Sequence, residues 1–170
     1  RPPRARGTQP PPDMRPSTLS QLPVASGFGH YLVNAGVLTP VQLRAAEAYK
    51  RAIALRDDFG GYYVNAALFY AKMLVDTGDY DVAVRQYEEV LAEMEKDGNY
   101  SAAAASGIGD AYRSMGEEEK AKEQYRLVIG KAPDYFPALI NLAQLYVKSG
   151  TNEDEALELL EKAIRINPNE

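Results

Sequence analysis

Apolar and polar positions alternate with helical spacing over most of this chain. From residue 26 onward, apolar residues recur every three or four positions, which puts them on one face of a helix. Short polar or glycine-containing breaks separate the periodic segments. The pattern therefore predicts an all-α protein built from antiparallel helix pairs at about 26–36/40–56, 60–77/80–97, 101–115/118–131 and 136–149/153–166.

Glycine and proline mark the ends of these predicted helices. Gly78, Gly116 and Gly150 each follow the first helix of a pair, where glycine adopts the left-handed conformation that closes a helix at low cost. Pro133 and Pro168 follow second helices and cannot continue them. These residues set the boundaries of three successive pairs.

The first pair is irregular but has a clear start signal in its second helix. Thr39 precedes Pro40, and Gln42 stands three residues after Thr39, which is the arrangement of a reciprocal helix cap. We therefore expect a helix to begin at Pro40. The preceding segment, 26–36, is short, so the pair is predicted to be a degenerate terminal unit.

The pairs repeat one another at the level of individual residues. Phe59, Tyr100 and Tyr135 mark the same point in successive units, 41 and 35 residues apart. The third unit has Ile108-Gly109, Tyr112, Gly116, Ala121, Tyr125, Val128 and Pro133, and the fourth has Leu142-Ala143, Tyr146, Gly150, Ala156, Leu160, Ala163 and Pro168. This order resembles the tetratricopeptide repeat motif: a bulky–small pair, an aromatic, a turn glycine, an alanine, an aromatic and a closing proline.

The resemblance covers residues 26–170 and implies a fold and a function. It implies a right-handed superhelical solenoid of about four helix hairpins, the first degenerate. It also implies a non-catalytic scaffold for protein–protein interaction, which binds a peptide or helix of a partner in the concave groove lined by the first helices. Family members that hold chaperone C-termini use a Lys/Asn/Arg clamp, and Pro137 and Asn141 stand here where that clamp would want Lys and Arg. Binding of a chaperone tail is therefore not expected.

The groove-facing stripe that the resemblance implies supplies the candidate binding residues. The proposed partner-binding side chains are Asn65, Lys72, Asp110, Arg113, Asn141, Gln144 and Lys148, with Asp76 and Ser106 on the same stripe. Small residues at Ala103, Ser106 and Gly107 are expected to leave the floor of the groove open to an inserted helix or extended peptide.

Packing explains the other small residues without any ligand. Gly109, Ala121 and Ala143 fall where paired helices must cross closely, so a larger side chain there would push the helices apart. The unit from 60 to 101 is longer than the others by about four residues in each helix, which is about one helical turn. A lengthened second hairpin is therefore predicted.

Charge divides the chain into two parts. Residues 1–25 form a predicted extended arm: residues 1–23 hold seven of the eleven prolines, and four arginines against one aspartate give a net charge of +3. The whole chain carries −5, so the remaining residues carry −8. An acidic body argues against nucleic acid as its partner. We interpret the arm as a linker in preference to an SH3-type ligand or a nucleic-acid contact.

Candidate chemistry is sparse. The chain has no cysteine and one histidine, His30, with no ligand-spaced cluster near it, so neither a metal nor a cofactor is predicted. No nucleophile motif appears, and Gly107 and Gly109 lie inside a helical repeat instead of a phosphate-binding loop. No apolar run approaches the ~20 residues that span a bilayer, so membrane insertion is not predicted. The compartment stays open.

A structural role is the alternative to an adaptor. The fourth unit ends at Pro168 without a polar capping helix in the sequence, so Leu157, Leu160 and Ile164 are expected to be partly uncovered. Self-association or stacking on another chain through this unit, with the arm as a strap, is the second hypothesis. The chain also fits a fragment of a longer protein with further repeats or a catalytic domain.

Overall fold

The computed structural model describes residues 39–54 and 62–168. Within those ranges the regular structure is helical. The seven helices are α1 Pro40–Ala54, α2 Tyr62–Thr77, α3 Tyr80–Lys96, α4 Ala102–Met115, α5 Glu118–Lys131, α6 Phe136–Ser149 and α7 Glu153–Ile166. Their bounds agree with the predicted helices to within two residues. The arm over 1–25 and the predicted helix at 26–36 with His30 lie outside the described residues.

The helices pack in chain order as an all-α solenoid of hairpins. Helices α2 and α3, α4 and α5, and α6 and α7 form three hairpins, and α1 packs on α2. The hairpins stack through α3 against α4 and through α5 against α6, and α4 also contacts α2. Each inner helix is therefore covered on several sides, which is how repeats bury apolar faces that a single hairpin leaves exposed.

The predicted helix signals are present. The Thr39 amide donates to Gln42 Oε1 at 2.8 Å, and the Gln42 amide donates to Thr39 Oγ1 at 3.1 Å, so the reciprocal cap of α1 is confirmed. Gly116 and Gly150 follow α4 and α6 with φ of 83° and 61°, in the left-handed region. The first turns of α5 and α7 carry the acidic side chains that complement a helix N-terminus.

Close helix crossings depend on glycine in α4. A Cβ on Gly109 would lie 2.6 Å from Tyr125 Cε1, and one on Gly107 would lie 2.3 Å from Tyr87 Cζ. The prediction that Gly109 is a packing residue is confirmed. The expectation that Gly107 leaves the groove floor open needs correction, because the ring of Tyr87 fills the space that this glycine leaves.

The second hairpin is longer than its neighbours. Helices α2 and α3 have 16 and 17 residues, whereas α4 to α7 have 14 each. The excess of three residues in α3 falls short of the predicted turn of about 3.6 residues, and the predicted start of α2 at residue 60 lies outside the described residues. Part of the extra length of this unit lies in the turn after α3, where Gly98 has a φ of 70°.

Candidate partner-binding groove

A pocket of about 300 Å³ opens between the first helices of the second, third and fourth hairpins. Helices α2 and α4 form its sides, Tyr87 of α3 enters its floor, and the start of α6 closes one end. The lining residues are Asn65, Leu68, Phe69, Lys72, Tyr87, Ala103, Ser106, Gly107, Asp110, Tyr135 and Pro137. The pocket therefore lies along the stripe of first helices that the sequence indicated.

One wall of the pocket is apolar and exposed. Phe69 is 59% exposed and stacks on Tyr49 of α1, with the ring centroids 5.9 Å apart. Leu68, on the same helix as Phe69, adds to this apolar surface, and Pro137 adds an apolar group at the end that α6 closes. An exposed aromatic ring held by a second ring offers a rigid contact surface to a ligand.

The opposite wall is polar and held by a network centred on Asp110. Its Oδ1 atom accepts a hydrogen bond from the Tyr125 hydroxyl at 2.6 Å and another from Asn141 Nδ2 at 2.9 Å. Arg113 Nη2 lies 3.5 Å from the same oxygen, and Arg113 Nη1 donates to Asn141 Oδ1 at 3.5 Å. The network joins α4, α5 and α6, so the carboxylate of Asp110 is fixed at the pocket edge.

Burial and nearby carboxylates raise the pKa of two phenols in the pocket. Burial, then the charges of Asp110 and Asp76, raise the pKa of the Tyr87 phenol. Burial followed by the charge of Asp110 raises the pKa of Tyr135 as well. Both phenols therefore stay protonated and face an environment that disfavours a further negative charge.

Ser106 contributes a buried polar atom to the pocket. The residue is 3% exposed, and its Oγ atom has no hydrogen-bond partner among the described residues. A buried hydroxyl without a partner is costly, by about 1–3 kcal/mol. A ligand that supplies a hydrogen bond to Ser106 would remove that cost.

The predicted site residues separate into three groups. Asn65, Lys72 and Asp110 line the pocket, and Lys72 pairs with Asp76 at 3.3 Å on its exposed rim. Arg113 and Asn141 border the pocket through Asp110.

The remaining two predicted residues lie outside the pocket lining. Gln144 is exposed further along α6. Lys148 forms an ion pair with Glu118 at the start of α5, with Nζ and Oε1 2.5 Å apart.

Sequence reasoning missed the aromatic part of the pocket. Phe69 follows Asn65 by four residues and so shares its helix face, a signal that could have identified it. The sequence marks Tyr135 only as a repeat position and does not single out Tyr87, yet both residues line the pocket.

A second apolar surface lies on the last hairpin. Leu157 is 58% exposed and Ile164 is 62% exposed, as predicted, whereas Leu160 is half-buried. A recess of about 280 Å³ between α6 and α7 is lined by Val147, Glu153, Ala156, Leu157 and Leu160.

Two kinds of site are not found in the part of the chain that the structure describes. Residues 39–54 and 62–168 hold no group of three or more His, Cys, Asp or Glu side chains placed to bind a metal ion. Over the same residues, no helix is long and apolar enough to cross a membrane.

Comparison with known proteins identifies the repeat. Two tetratricopeptide repeat models match the chain, one over residues 62–130 and the other over residues 136–170.

Relatives by sequence include photosystem I assembly proteins named Ycf3. The protein from Synechococcus sp. (strain CC9605) is 27% identical over 144 residues, which cover 77% of this chain and 73% of the relative. The protein from Prochlorococcus marinus (strain NATL1A) is 31% identical over 118 residues, which cover 61% of this chain and 68% of the relative.

Similar solved structures show the same fold. A crystal structure of MamA superimposes with a TM-score of 0.54 and 24% identity, covering 85% of this chain and 77% of MamA. A tetratricopeptide repeat protein from Parabacteroides merdae ATCC 43184 superimposes with a TM-score of 0.58 and 17% identity, covering 84% of this chain and 52% of that protein.

Proposed function

The chain belongs to the tetratricopeptide repeat family and is a protein-interaction scaffold, and from this premise we propose that its groove binds a peptide or helix of a partner protein in the pocket between α2, α4 and α6. The observation that carries the proposal is the pairing of an exposed aromatic wall with a fixed polar wall. Phe69 lies on one side, and the Asp110 network lies on the other.

Each wall has a separate part in binding. An apolar side chain of the partner would pack on Phe69 and Leu68, removing both surfaces from water. Polar groups of the partner would pair with Asn65 and Ser106, and a hydrogen bond to a charged group such as Lys72 contributes about 1.5–3 kcal/mol. Burial of apolar surface would therefore provide most of the affinity, and the polar contacts would fix the position of the partner segment in the groove.

The outer stripe extends the same surface. Arg113 and Asn141 support Asp110, so we assign them to positioning the polar wall and contacting the partner beyond the pocket. Gln144 and Lys148 continue along α6 and would contact a longer partner segment. This part of the proposal predicts smaller effects for substitutions at Gln144 and Lys148 than at the pocket.

We propose further that the chain acts without catalysis, in the assembly of a protein complex. Relatives named as photosystem I assembly proteins support an assembly role for a scaffold of this kind. The raised pKa of Tyr87 also makes its phenol a poor nucleophile at neutral pH. The partner of this chain is a protein.

The test fills the pocket without disturbing the core. Ala103 is an exposed lining residue, so Ala103→Trp places an indole in the pocket; Ala92→Trp, at an exposed position of α3 that does not line the pocket, is the matched control. Peptides are selected from a random library on the immobilised full chain, and their affinities are measured by fluorescence anisotropy. Ala103→Trp should weaken binding at least about tenfold, or 1.4 kcal/mol, and Ala92→Trp should change it less than about twofold.

The affinity of the Ala103→Trp protein shows whether the peptide binds in the pocket or on another surface. Equal affinities for wild type and Ala103→Trp would place the peptide site elsewhere and contradict the proposal. Helical circular dichroism and the melting temperature, measured on all three proteins, distinguish blocked binding from unfolding.

A second function is favoured by the exposed apolar side chains of α7. Leu157 and Ile164 together present an apolar surface of the kind that commonly marks an interface. In this alternative the last hairpin stacks on a second copy or another protein. Sedimentation velocity on wild type and on the double variant Leu157→Gln/Ile164→Gln tests it: a self-associating wild type and a monomeric variant support stacking, whereas two monomers argue against self-association.

A further inference from the structure

We propose that the arginine- and proline-rich arm, residues 1–23, docks in the groove of its own chain by placing an arginine side chain in the pocket, and so competes with the partner. The inference rests on the proposed function, because it assigns regulation to the same pocket. It goes beyond that function because it proposes that a segment of the same chain binds in the pocket.

Charge is the first argument. The arm carries Arg1, Arg4, Arg6 and Arg15 against Asp13, a net of +3, whereas the rest of the chain carries −8. Segments of opposite charge within one chain attract, and the attraction is strongest where the acidic groups are partly removed from water. The pocket is such a place, because Asp110 borders it in a half-buried position.

The donor and acceptor inventory of the pocket favours a guanidinium. The hydrogen bonds and the ion pair described for Asp110 all use Oδ1, so none of them occupies the second carboxylate oxygen as an acceptor. Ser106 Oγ is a further acceptor without a partner among the described residues. The positive charge of Lys72 is offset by its ion pair with Asp76. A planar group with five N–H donors and no acceptor matches this lining.

The aromatic residues of the pocket suit both residue types of the arm. A guanidinium stacks on aromatic faces, and the exposed ring of Phe69 and the partly exposed ring of Tyr135 line the pocket. Proline-rich segments dock in aromatic-lined grooves at low entropic cost because their extended helix is already formed. Seven prolines lie in residues 1–23, so the sequence predicts this extended conformation for the segments next to the arginines.

The arm can reach the pocket of its own chain. Between Arg15 and Thr39 there are 24 peptide steps, and even with a helix at 26–36 this length spans about 60 Å, at ~3.3 Å per extended residue and ~1.5 Å per helical residue. Adjacent packed helices are about 8–10 Å apart, so the pocket lies within about 30 Å of α1. The tether is therefore long enough for intramolecular docking.

Tethering makes a weak contact effective. A segment joined by a short flexible linker acts at an effective concentration of about 1 mM. If the free arm binds with a Kd of about 100 µM, the tethered arm reduces the apparent affinity of a competitor about tenfold. A modest arginine contact is thus enough to regulate the groove.

The experiment uses the full chain with an uncharged arm. In the arm-neutral variant, Arg1, Arg4, Arg6 and Arg15 are replaced by Gln; the probe is a fluorescein-labelled synthetic peptide of residues 1–23 with its natural sequence. Anisotropy should show the probe binding the arm-neutral chain about tenfold tighter than the wild-type chain, because the wild-type arm occupies the pocket. A library-selected groove peptide should show the same ordering.

Two further substitutions in the arm-neutral chain locate the contact. Asp110→Asn keeps the shape and the acceptor for Tyr125 but removes the charge, and should weaken binding of the probe at least about fivefold. Glu158→Gln removes one negative charge from an exposed position of α7 outside the pocket and should change it less than about twofold. Equal losses in both variants would show a non-specific charge effect and overturn the proposal.

The remaining outcomes separate this proposal from the groove function. If a selected peptide binds wild-type and arm-neutral chains equally while Ala103→Trp still blocks it, the groove function holds and arm docking is wrong. Loss of a dimer on neutralising the arm, seen by sedimentation, would mean that the arm occupies the groove of a second copy, which contradicts intramolecular docking. No effect of Ala103→Trp on the selected peptide would contradict the groove function itself.

Discussion

Helices α4 and α7 have the same length of 14 residues but are built from different side chains. Helix α4 buries seven residues, none larger than isoleucine: Ala104, Ala105, Ser106, Gly107, Ile108, Gly109 and Ala111. Helix α7 buries only Ala156 and Ala163, and it leaves Leu157 and Ile164 more than half exposed. The two helices therefore invert the usual association of large apolar side chains with burial.

The number of neighbouring helices explains the difference. Helix α4 packs against α2, α3 and α5, so a large side chain on almost any face would collide with a neighbour. Among the described residues α7 packs mainly against α6 through its two buried alanines. Side-chain size in this solenoid is therefore set by crowding, and exposure of leucine or isoleucine marks a face that the described helices leave uncovered.

The strongest test compares a leucine from each environment. Leu142 of α6 is 1% exposed and belongs to the core shared by the third and fourth hairpins. Leu142→Ala should lower the free energy of unfolding by about 2–5 kcal/mol, because it removes buried methyl groups and leaves a cavity. Leu157→Ala is the matched control and should change it by less than about 0.5 kcal/mol.

Urea unfolding followed by helical circular dichroism measures both values. A cost above about 1 kcal/mol for Leu157→Ala would mean that its side chain is covered in solution, and the contrast between the two helices would then be lost.

A pair of glycines gives a smaller and more specific contrast. Gly109 has Tyr125 within 2.6 Å of the site of a Cβ, whereas Gly130 of α5 has nothing within 4 Å. Gly109→Ala should destabilise the chain by about 1–3 kcal/mol through overpacking. Gly130→Ala should stabilise it by about 0.5–1 kcal/mol, because alanine is the better helix former.

Thermal unfolding measures both changes. A lower melting temperature for Gly109→Ala and a higher one for Gly130→Ala would support the crowding argument. Stabilisation by both substitutions would show that Tyr125 moves aside easily, and the crowding argument for α4 would fail.

Most of the fold could be predicted because its signals are local. The cap at Thr39 and the glycines after the first helices each depend on neighbours a few residues away. Lys122 shows where this reasoning ends. It is 4% exposed, lies over the ring of Tyr146 and donates to Ser149 Oγ at 3.2 Å, contacts across two hairpins that no local pattern reveals.

The groove was predicted only in part. The resemblance to the tetratricopeptide repeat implied a groove-facing stripe on α2 and α4, so Asn65, Lys72 and Asp110 were placed on one surface. Tyr87 belongs to a second helix, and it lines the pocket only because Gly107 lets its ring through. Likewise Lys148 pairs with Glu118 of another hairpin, a tertiary contact that draws its charge away from the pocket.

The smallest expected effect of the difference between the inner helices and α7 is on stability at alkaline pH. Helix α7 has no tyrosine, whereas the inner helices bury several. Tyr70 of α2 is 4% exposed, and burial, followed by the charge of Asp79, raises the pKa of its phenol to about 12. An unfolded tyrosine ionises near a pKa of about 10. Between these values the unfolded chain loses a proton that the folded chain retains. The contribution is therefore fully present below about pH 10 and is lost as pH rises toward about 12.

Tyr70→Phe cannot ionise at this position, so its free energy of unfolding should fall less steeply above about pH 10 than that of wild type. The difference in slope should not exceed about 1.4 kcal/mol per pH unit, the limit for one ionising group. Burial also raises the pKa of Tyr87 and of Tyr125, so the variant should keep part of the alkaline loss. Urea unfolding at several pH values from about 9 to about 11 measures the slope. Identical slopes for the two proteins would mean that water reaches the Tyr70 phenol, and that the inner helices are less tightly enclosed than their small residues indicate.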